Sequence, residues 1–157
     1  FRPFAPSILR EDVEEWFEHS ADSPYMLLVA DIQKDKRKDM TEQEKAFFGI
    51  KKLNVTRSSV PAITHVDYSA RIQTVHKETN SRYYELISKF KEKTNCPIVI
   101  NTSFNIRGEP IVCTPKDAFK CFMGTELDIL AIGNYLLIKD QQDILLKKSY
   151  EKSYELD

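Results

Sequence analysis

The spacing of apolar and polar positions changes several times along the chain, and each change marks an element. In Glu11 to His19, Val13, Trp16 and Phe17 fall on one side while Glu14, Glu15 and Glu18 fall elsewhere, which predicts a short amphipathic helix. Tyr25 to Ile32 is nearly continuous in apolar residues and reads as a buried strand. From Gln33 to Ser59 the composition turns to Lys, Asp, Glu and Gln, with Ala46, Phe47 and Phe48 as one apolar patch. That stretch is expected to be a solvated, mobile insertion carrying a short helix. Ala62 to Val66 and Arg71 to Val75 are short β-branched segments around Asp67-Tyr68-Ser69, a spacing suited to a hairpin or a sharply bent strand.

The second half is more regular. Ser81 to Thr94 carries Tyr84, Ile87 and Phe90 at helical spacing with Leu86 beside them, and it predicts the longest helix. Asn95 and Pro97 end it, and Pro97 to Ile100 follows as a compact apolar strand. Thr114-Pro115-Lys116-Asp117 is a helix start, with threonine as N-cap, proline first and an acid third. The helix is expected to run to about Gly124. Asp128 to Ile132 and Tyr135 to Ile138, separated by Gly133-Asn134, predict a terminal hairpin, and the chain from Lys147 onward reads as a polar tail. Strands alternate with helices while several strands are adjacent in sequence. The expected fold class is therefore α/β (α+β), a twisted mixed β-sheet flanked by helices.

Composition narrows the function. With 157 residues the chain is bounded to one domain of ordinary size, and 23 basic against 24 acidic residues leave a net charge of −1. That balance argues against nucleic acid as a partner, and no apolar run reaches the length of a membrane span. Only 4 glycines are present, at 49, 108, 124 and 133, so no glycine-rich phosphate loop can be built. Cys96, Cys113 and Cys121 form no paired motif, and His19, His65 and His76 have no metal-ligand spacing. No metal site is expected, and the setting is expected to be reducing and cytoplasmic. The opening Phe-Arg-Pro-Phe is neither an initiator methionine nor a signal peptide and is expected to lie inside a longer protein.

Three segments carry candidate chemistry. Asn101 to Pro110, directly after the apolar strand, gathers Asn101, Thr102, Ser103 and Asn105 with Arg107 and Gly108 beside them. Such a set binds a phosphate or acyl oxygen at the carboxyl end of a strand, or it caps its own turn. In Ile63 to Val75, Arg71 lies inside a strand-like run and needs a phosphate or carboxylate partner, Asp67 being the nearest acid; His65 reads first as a hydrogen-bonded structural residue. Arg2 stands between proline-bounded residues, a rigid placement that suits phosphate binding as well as it suits a loose chain end.

Three blocks, FRPFAPSIL at 1–9, PAITHVDYSARIQTV at 61–75 and NTSFNIRGEPIVCTPKDAFKCF at 101–122, resemble in order and spacing the carboxy-terminal domain of the O-carbamoyltransferases of nodulation and antibiotic tailoring (the NodU/CmcH type), as does the closing DILAIGNYLLIK at 128–139. The resemblance implies a YrdC-like domain over residues 1–140, truncated at its N-terminus, with the charged insertion at about 33–59 and a polar tail at 141–157. It further implies that this domain forms carbamoyl-adenylate from carbamoyl phosphate and ATP, with Mg2+. A preceding Kae1-like domain, holding iron, then passes the carbamoyl group to a hydroxyl. Carried over position by position, Arg2, Arg71, Asn101 and Ser103 match residues that bind carbamoyl phosphate and the nucleotide phosphates, with Arg71, Asn101 and Ser103 in the catalytic role. Asn105 and Gly108 belong to the same motif. The family's upstream Lys-x-Arg-Glu and Gly-Pro-Arg-Ala-Leu-Gly segments are not in this chain, and Tyr68 stands where a smaller turn residue is expected. An RNA-binding YrdC-like module and a non-catalytic docking domain are the competing expectations.

Overall fold

A computed structural model describes residues 3–106, 108–143 and 146. The chain divides into two compact units, Phe1–Thr102 and Ser103–Asp157. The first unit contains β1 (Ala5–Leu9), a 3-10 turn at Arg10–Asp12, α1 (Val13–Trp16), β2 (Leu28–Asp31), α2 (Glu42–Lys45), α3 (Ile50–Leu53), β3 (Ser69–Val75), α4 (Ser81–Thr94) and β4 (Ile98–Asn101). The second contains α5 (Pro115–Gly124), β5 (Ile129–Ile132) and β6 (Tyr135–Ile138). A mixed four-stranded sheet and a separate two-stranded one, with helices, make this a mixed α/β protein. Among the described residues no helix is long and apolar enough to cross a membrane.

The four strands run in the order β2-β3-β1-β4, with β1 parallel to β3 and the other pairs antiparallel. Central β1 is buried on both faces. Its Pro6 has no N–H to give, and the ladder to β3 begins one residue later, at Ser7 paired with Gln73. Period-two alternation then sorts the side chains. Ile8, Ala30, Ala70, Ile72 and Ile98 face one way into a core completed by Val13, Trp16, Phe17, Ile32 and Ile63. On the opposite face Leu9 and Val75 meet Ile87 of α4, with Tyr83, Tyr84 and Val99 packed around them.

Helix α4 follows its sequence signals closely. The Asn80 side chain accepts from Tyr83 N–H, and Asn95 ends the helix in the left-handed region at φ 57°. Only Ile87 of its apolar stripe is buried; Leu86 and Phe90 are exposed. Lys91 Nζ donates to both carboxylate oxygens of buried Asp12, at 2.7 and 2.8 Å, pinning the helix to the 3-10 turn. Replacing Lys91 by methionine leaves that carboxylate buried and unpaired. The expected loss is about 1–2 kcal/mol in denaturant unfolding, limited by the 42% exposure of the lysine side chain. The hydrogen bond to Asp12 raises the Lys91 pKa above its ordinary 10.5. Its contribution is therefore whole below that value and fades as pH climbs through and beyond it, so the two proteins' stabilities should converge at strongly alkaline pH.

Four expectations are corrected. The Glu11–His19 helix is a 3-10 turn followed by the single turn of α1, because the backbone of Phe17 and Glu18 is diverted to pair with Ile32 and Asp31. Tyr25–Ile32 is not a buried strand: β2 is the four-residue edge of the sheet, with Ala30 and Ile32 buried and Tyr25, Leu27, Leu28 and Val29 exposed. The charged stretch holds two short helices, not one, and closes on itself where Lys38 N–H donates to Arg57 C=O and Ser59 N–H to Lys36 C=O, burying Val55, Arg57 and Ser58. No strand forms at Ala62–Val66. Pro61 opens a 3-10 turn there, Thr64 donates its hydroxyl hydrogen bond to Val60 C=O, and a tight turn from His65 to Ser69 leads into β3. Tyr68 adopts φ 68° in that turn, the conformation for which a smaller residue was expected.

In the second unit α5 starts on a reciprocal capping box between Thr114 and Asp117 with Pro115 at its first position. Ala118, Phe122 and Met123 of the helix pack on Leu130 of the hairpin, with Phe104, Val112, Ile132 and Leu137 around them. Gly133 takes φ 58° in the hairpin connection, at the turn position that calls for glycine. Lys139 Nζ donates to the last carbonyls of the helix, at Phe122 and Thr125, and lies over the Phe122 ring at 4.5 Å, where the helix dipole favours a cation.

Candidate functional site

Arg71 is fixed by alternation along β3. With Ala70, Ile72 and Thr74 buried on one side, Arg71 and Gln73 must occupy the other. Val29 of β2 is the register partner of Arg71, and Asn101 of β4 is the partner of Ala5. The Ser7–Gln73 pairing sets Ala5 level with Arg71. Val29, Arg71, Ala5 and Asn101 thus form one row across four strands on one face, with backbones of adjacent strands about 4.8 Å apart. Alanine contributes only a methyl between the guanidinium-bearing strand and the carboxamide.

Arg71 is exposed, and among the described residues it has no acidic partner. The nearby Asp67 is engaged elsewhere. Its carboxylate accepts from the Ser69 hydroxyl at 2.7 Å and the Ser69 N–H at 3.1 Å, bonds that hold its pKa below the ordinary value. His65 Nδ1 lies 2.9 Å from the same Ser69 hydroxyl. Those three residues close the turn before β3, and His65 takes the structural role expected of it. A cation at the sheet surface with no carboxylate beside it keeps its full charge for an anion.

Asn101 is held from one side. Its Nδ2 donates to Gln73 Oε1 at 2.7 Å, and the fully buried Ser7 hydroxyl donates to the same oxygen at 2.6 Å. Gln73 Nε2 donates to Pro24 C=O at 3.0 Å. Gln73 and Ser7 were not picked out from the sequence, although the period-two spacing from Arg71 to Gln73 was the signal that could have found the first of them.

Of the other candidates, Arg2 lies outside the described residues, as does Arg107 of the same motif. Ser103, Asn105 and Gly108 belong to the second unit. Ser103 is exposed and its hydroxyl has no partner among the described residues. Asn105 spends both amide hydrogens on its own turn, donating to Ile106 C=O at 3.0 Å and Glu109 C=O at 2.9 Å, so only its Oδ1 is left for a ligand. Gly108 sits at φ 80°, which glycine adopts at no steric cost.

The cysteines offer no nucleophile at neutral pH where their state is resolved: burial pushes the Cys121 thiol up to about 11, and burial also raises that of Cys96. Among the described residues no three His, Cys, Asp or Glu side chains converge as a metal cage. What the first unit gathers is an unpaired guanidinium and a carboxamide held by Gln73, groups whose chemistry suits holding anions and amides by charge and hydrogen bonds and not attacking them covalently.

Residues 1–139 match the family described as carbamoyltransferase C-terminus. The chain is 54% identical, over its whole length, to 26% of an uncharacterized protein of Synechocystis. It is 39% identical over 88% of its length to 18% of the nodulation protein NolNO of Sinorhizobium fredii. With the 3'-hydroxymethylcephem-O-carbamoyltransferase of Amycolatopsis lactamdurans the identity is 30% over 74% of this chain and 18% of that enzyme. The chain thus spans about a quarter or less of the curated relatives it matches.

Proposed function

The chain belongs to the carbamoyltransferase C-terminus family, and from that premise we propose that it is the carbamoyl-activating part of a longer O-carbamoyltransferase. In this reading carbamoyl phosphate first loses its phosphate to water, leaving carbamate. A carbamate oxygen then bonds to the α-phosphorus of ATP while the bond from that phosphorus to the bridging oxygen breaks, and pyrophosphate leaves with the electron pair. The product is carbamoyl-adenylate. A Kae1-like domain in the rest of the protein, the one that would hold iron, moves the carbamoyl group to a hydroxyl acceptor.

The observation that carries the reading is the row on the sheet face, where unpaired Arg71 and oriented Asn101 flank Ala5. Carbamate and the triphosphate are both anions, and bringing them together needs a fixed positive charge that no protein carboxylate has already neutralised. Arg71 supplies it. Asn101 orients the carbamoyl group, and Ser103 and Arg2 are proposed to add donors to the phosphates, with Asn105 and Gly108 shaping the following turn. Mg2+ is proposed to enter with ATP, held through phosphate oxygens, as is usual for this ion. The YrdC-like character of the domain belongs to the same proposal, and its free cysteines suit a cytoplasmic setting.

The test is stoichiometric. The full-length protein, given ATP and carbamoyl phosphate, is expected to release pyrophosphate and inorganic phosphate together, with AMP following as the carbamoyl-adenylate passes its carbamoyl group to a hydroxyl or to water. AMP formation at the same rate without carbamoyl phosphate would overturn the reading.

A further inference from the structure

Gln73 occupies a position from which polarity can be passed along a chain of amides. Pro24 C=O can only accept, so the Gln73 group facing it at 3.0 Å is the N–H2 end, and Oε1 is turned toward Ser7 and Asn101. An acceptor there requires Asn101 to present Nδ2, at 2.7 Å. The Oδ1 of Asn101 is consequently directed away from Gln73, and it has no partner among the described residues. A backbone carbonyl on the loop before β2 thereby decides which end of Asn101 is offered to a ligand, without depending on how either amide is assigned in isolation.

We infer that Gln73 is a positioning residue that fixes Asn101 as a hydrogen-bond acceptor for the N–H2 of the carbamoyl group, and so sets the preference for carbamoyl over acyl phosphates. The inference rests on the proposed function. Carbamoyl phosphate and acetyl phosphate have the same charge and nearly the same shape and differ where an amino group replaces a methyl. Phosphate-binding residues cannot tell them apart. An acceptor aimed at the amino group can, because an apolar methyl leaves that acceptor dry and unpaired.

The experiment compares KM and kcat for carbamoyl phosphate, acetyl phosphate and ATP in the full-length protein. Gln73→Leu alone would strand the fully buried Ser7 hydroxyl, so the disruptive variant is Ser7→Ala with Gln73→Leu, which removes both partners. It is expected to lower discrimination between the two acyl donors by about five- to tenfold, with KM for ATP unchanged. Ser7→Ala alone, which leaves Gln73 held by Pro24 C=O and still accepting from Asn101, is expected to retain the unaltered preference. Undiminished discrimination in the double variant, with activity present, would overturn the inference alone. Absence of carbamoyl phosphate-dependent AMP formation in the unaltered protein would overturn the proposed function and this inference with it.

Discussion

Replacing Arg71 by alanine in the full-length protein is expected to lower kcat/KM for carbamoyl phosphate-dependent AMP formation by about 10²- to 10³-fold, the usual effect of removing one donor aimed at developing charge. The guanidinium is exposed and has no protein partner among the described residues, so its loss breaks no internal contact. Stability should stay within about 0.5 kcal/mol, as for other surface changes. That separation of activity from stability is the informative part. Arg71→Lys should recover part of the rate, since it restores the charge without the flat fork that grips two phosphate oxygens. Equal activity of Arg71→Ala and the unaltered protein in steady-state kinetics would remove Arg71 from the site.

Phe17→Ala should produce the largest loss of stability, about 3–5 kcal/mol by denaturant unfolding. Phe17 is 0% exposed and belongs to the cluster with Ile8, Ile72, Ala30 and Trp16 on the sheet face opposite Arg71. Its side chain shares that core with Ile32 just beyond β2, so its truncation leaves a cavity there while the backbone bridge between residues 17 and 32 is kept. Phe48, 93% exposed in the charged segment, is the control, and its replacement should change stability by less than about 0.5 kcal/mol. A loss below about 1 kcal/mol for Phe17→Ala would mean that this cluster is not the core of the first unit.

What the sequence revealed depended on how locally each feature is determined. Helix α4 and the capped start of α5 were legible because the spacing of Tyr84, Ile87 and Phe90 and the signals at Asn95, Thr114, Pro115 and Asp117 act on backbone a few residues away. The terminal hairpin was legible for the same reason, through Gly133-Asn134. Features set by partners distant in the chain were not. Phe17 leaves its helix to pair with Ile32, and Tyr25–Ile32 becomes a half-exposed edge because only β3 lies beside it. Nor does an apolar run show on its own how many of its faces will be covered. The candidate site divides along the same line. Arg71 and Asn101 were found as residue types, but their shared row follows from β1 lying between β3 and β4, where Ser7 pairs with Gln73 and Ala5 with Asn101 from segments distant in the chain that no local pattern encodes. Gln73 was missed because its function lies in three hydrogen bonds to other segments.

The central claim, that carbamate attacks the α-phosphorus of ATP at this domain, can be tested by following one oxygen atom. Carbamoyl phosphate carrying heavy oxygen in its carbonyl is given with ordinary ATP to the full-length protein, and the AMP released after transfer is examined by mass spectrometry. Carbamate has two equivalent oxygens, one of them labelled, and attack leaves one of the two bonded to the α-phosphorus when the carbamoyl group departs, so a mixture of labelled and unlabelled AMP is expected. AMP wholly free of label would show that water, and not carbamate, attacked the nucleotide, and would contradict the account.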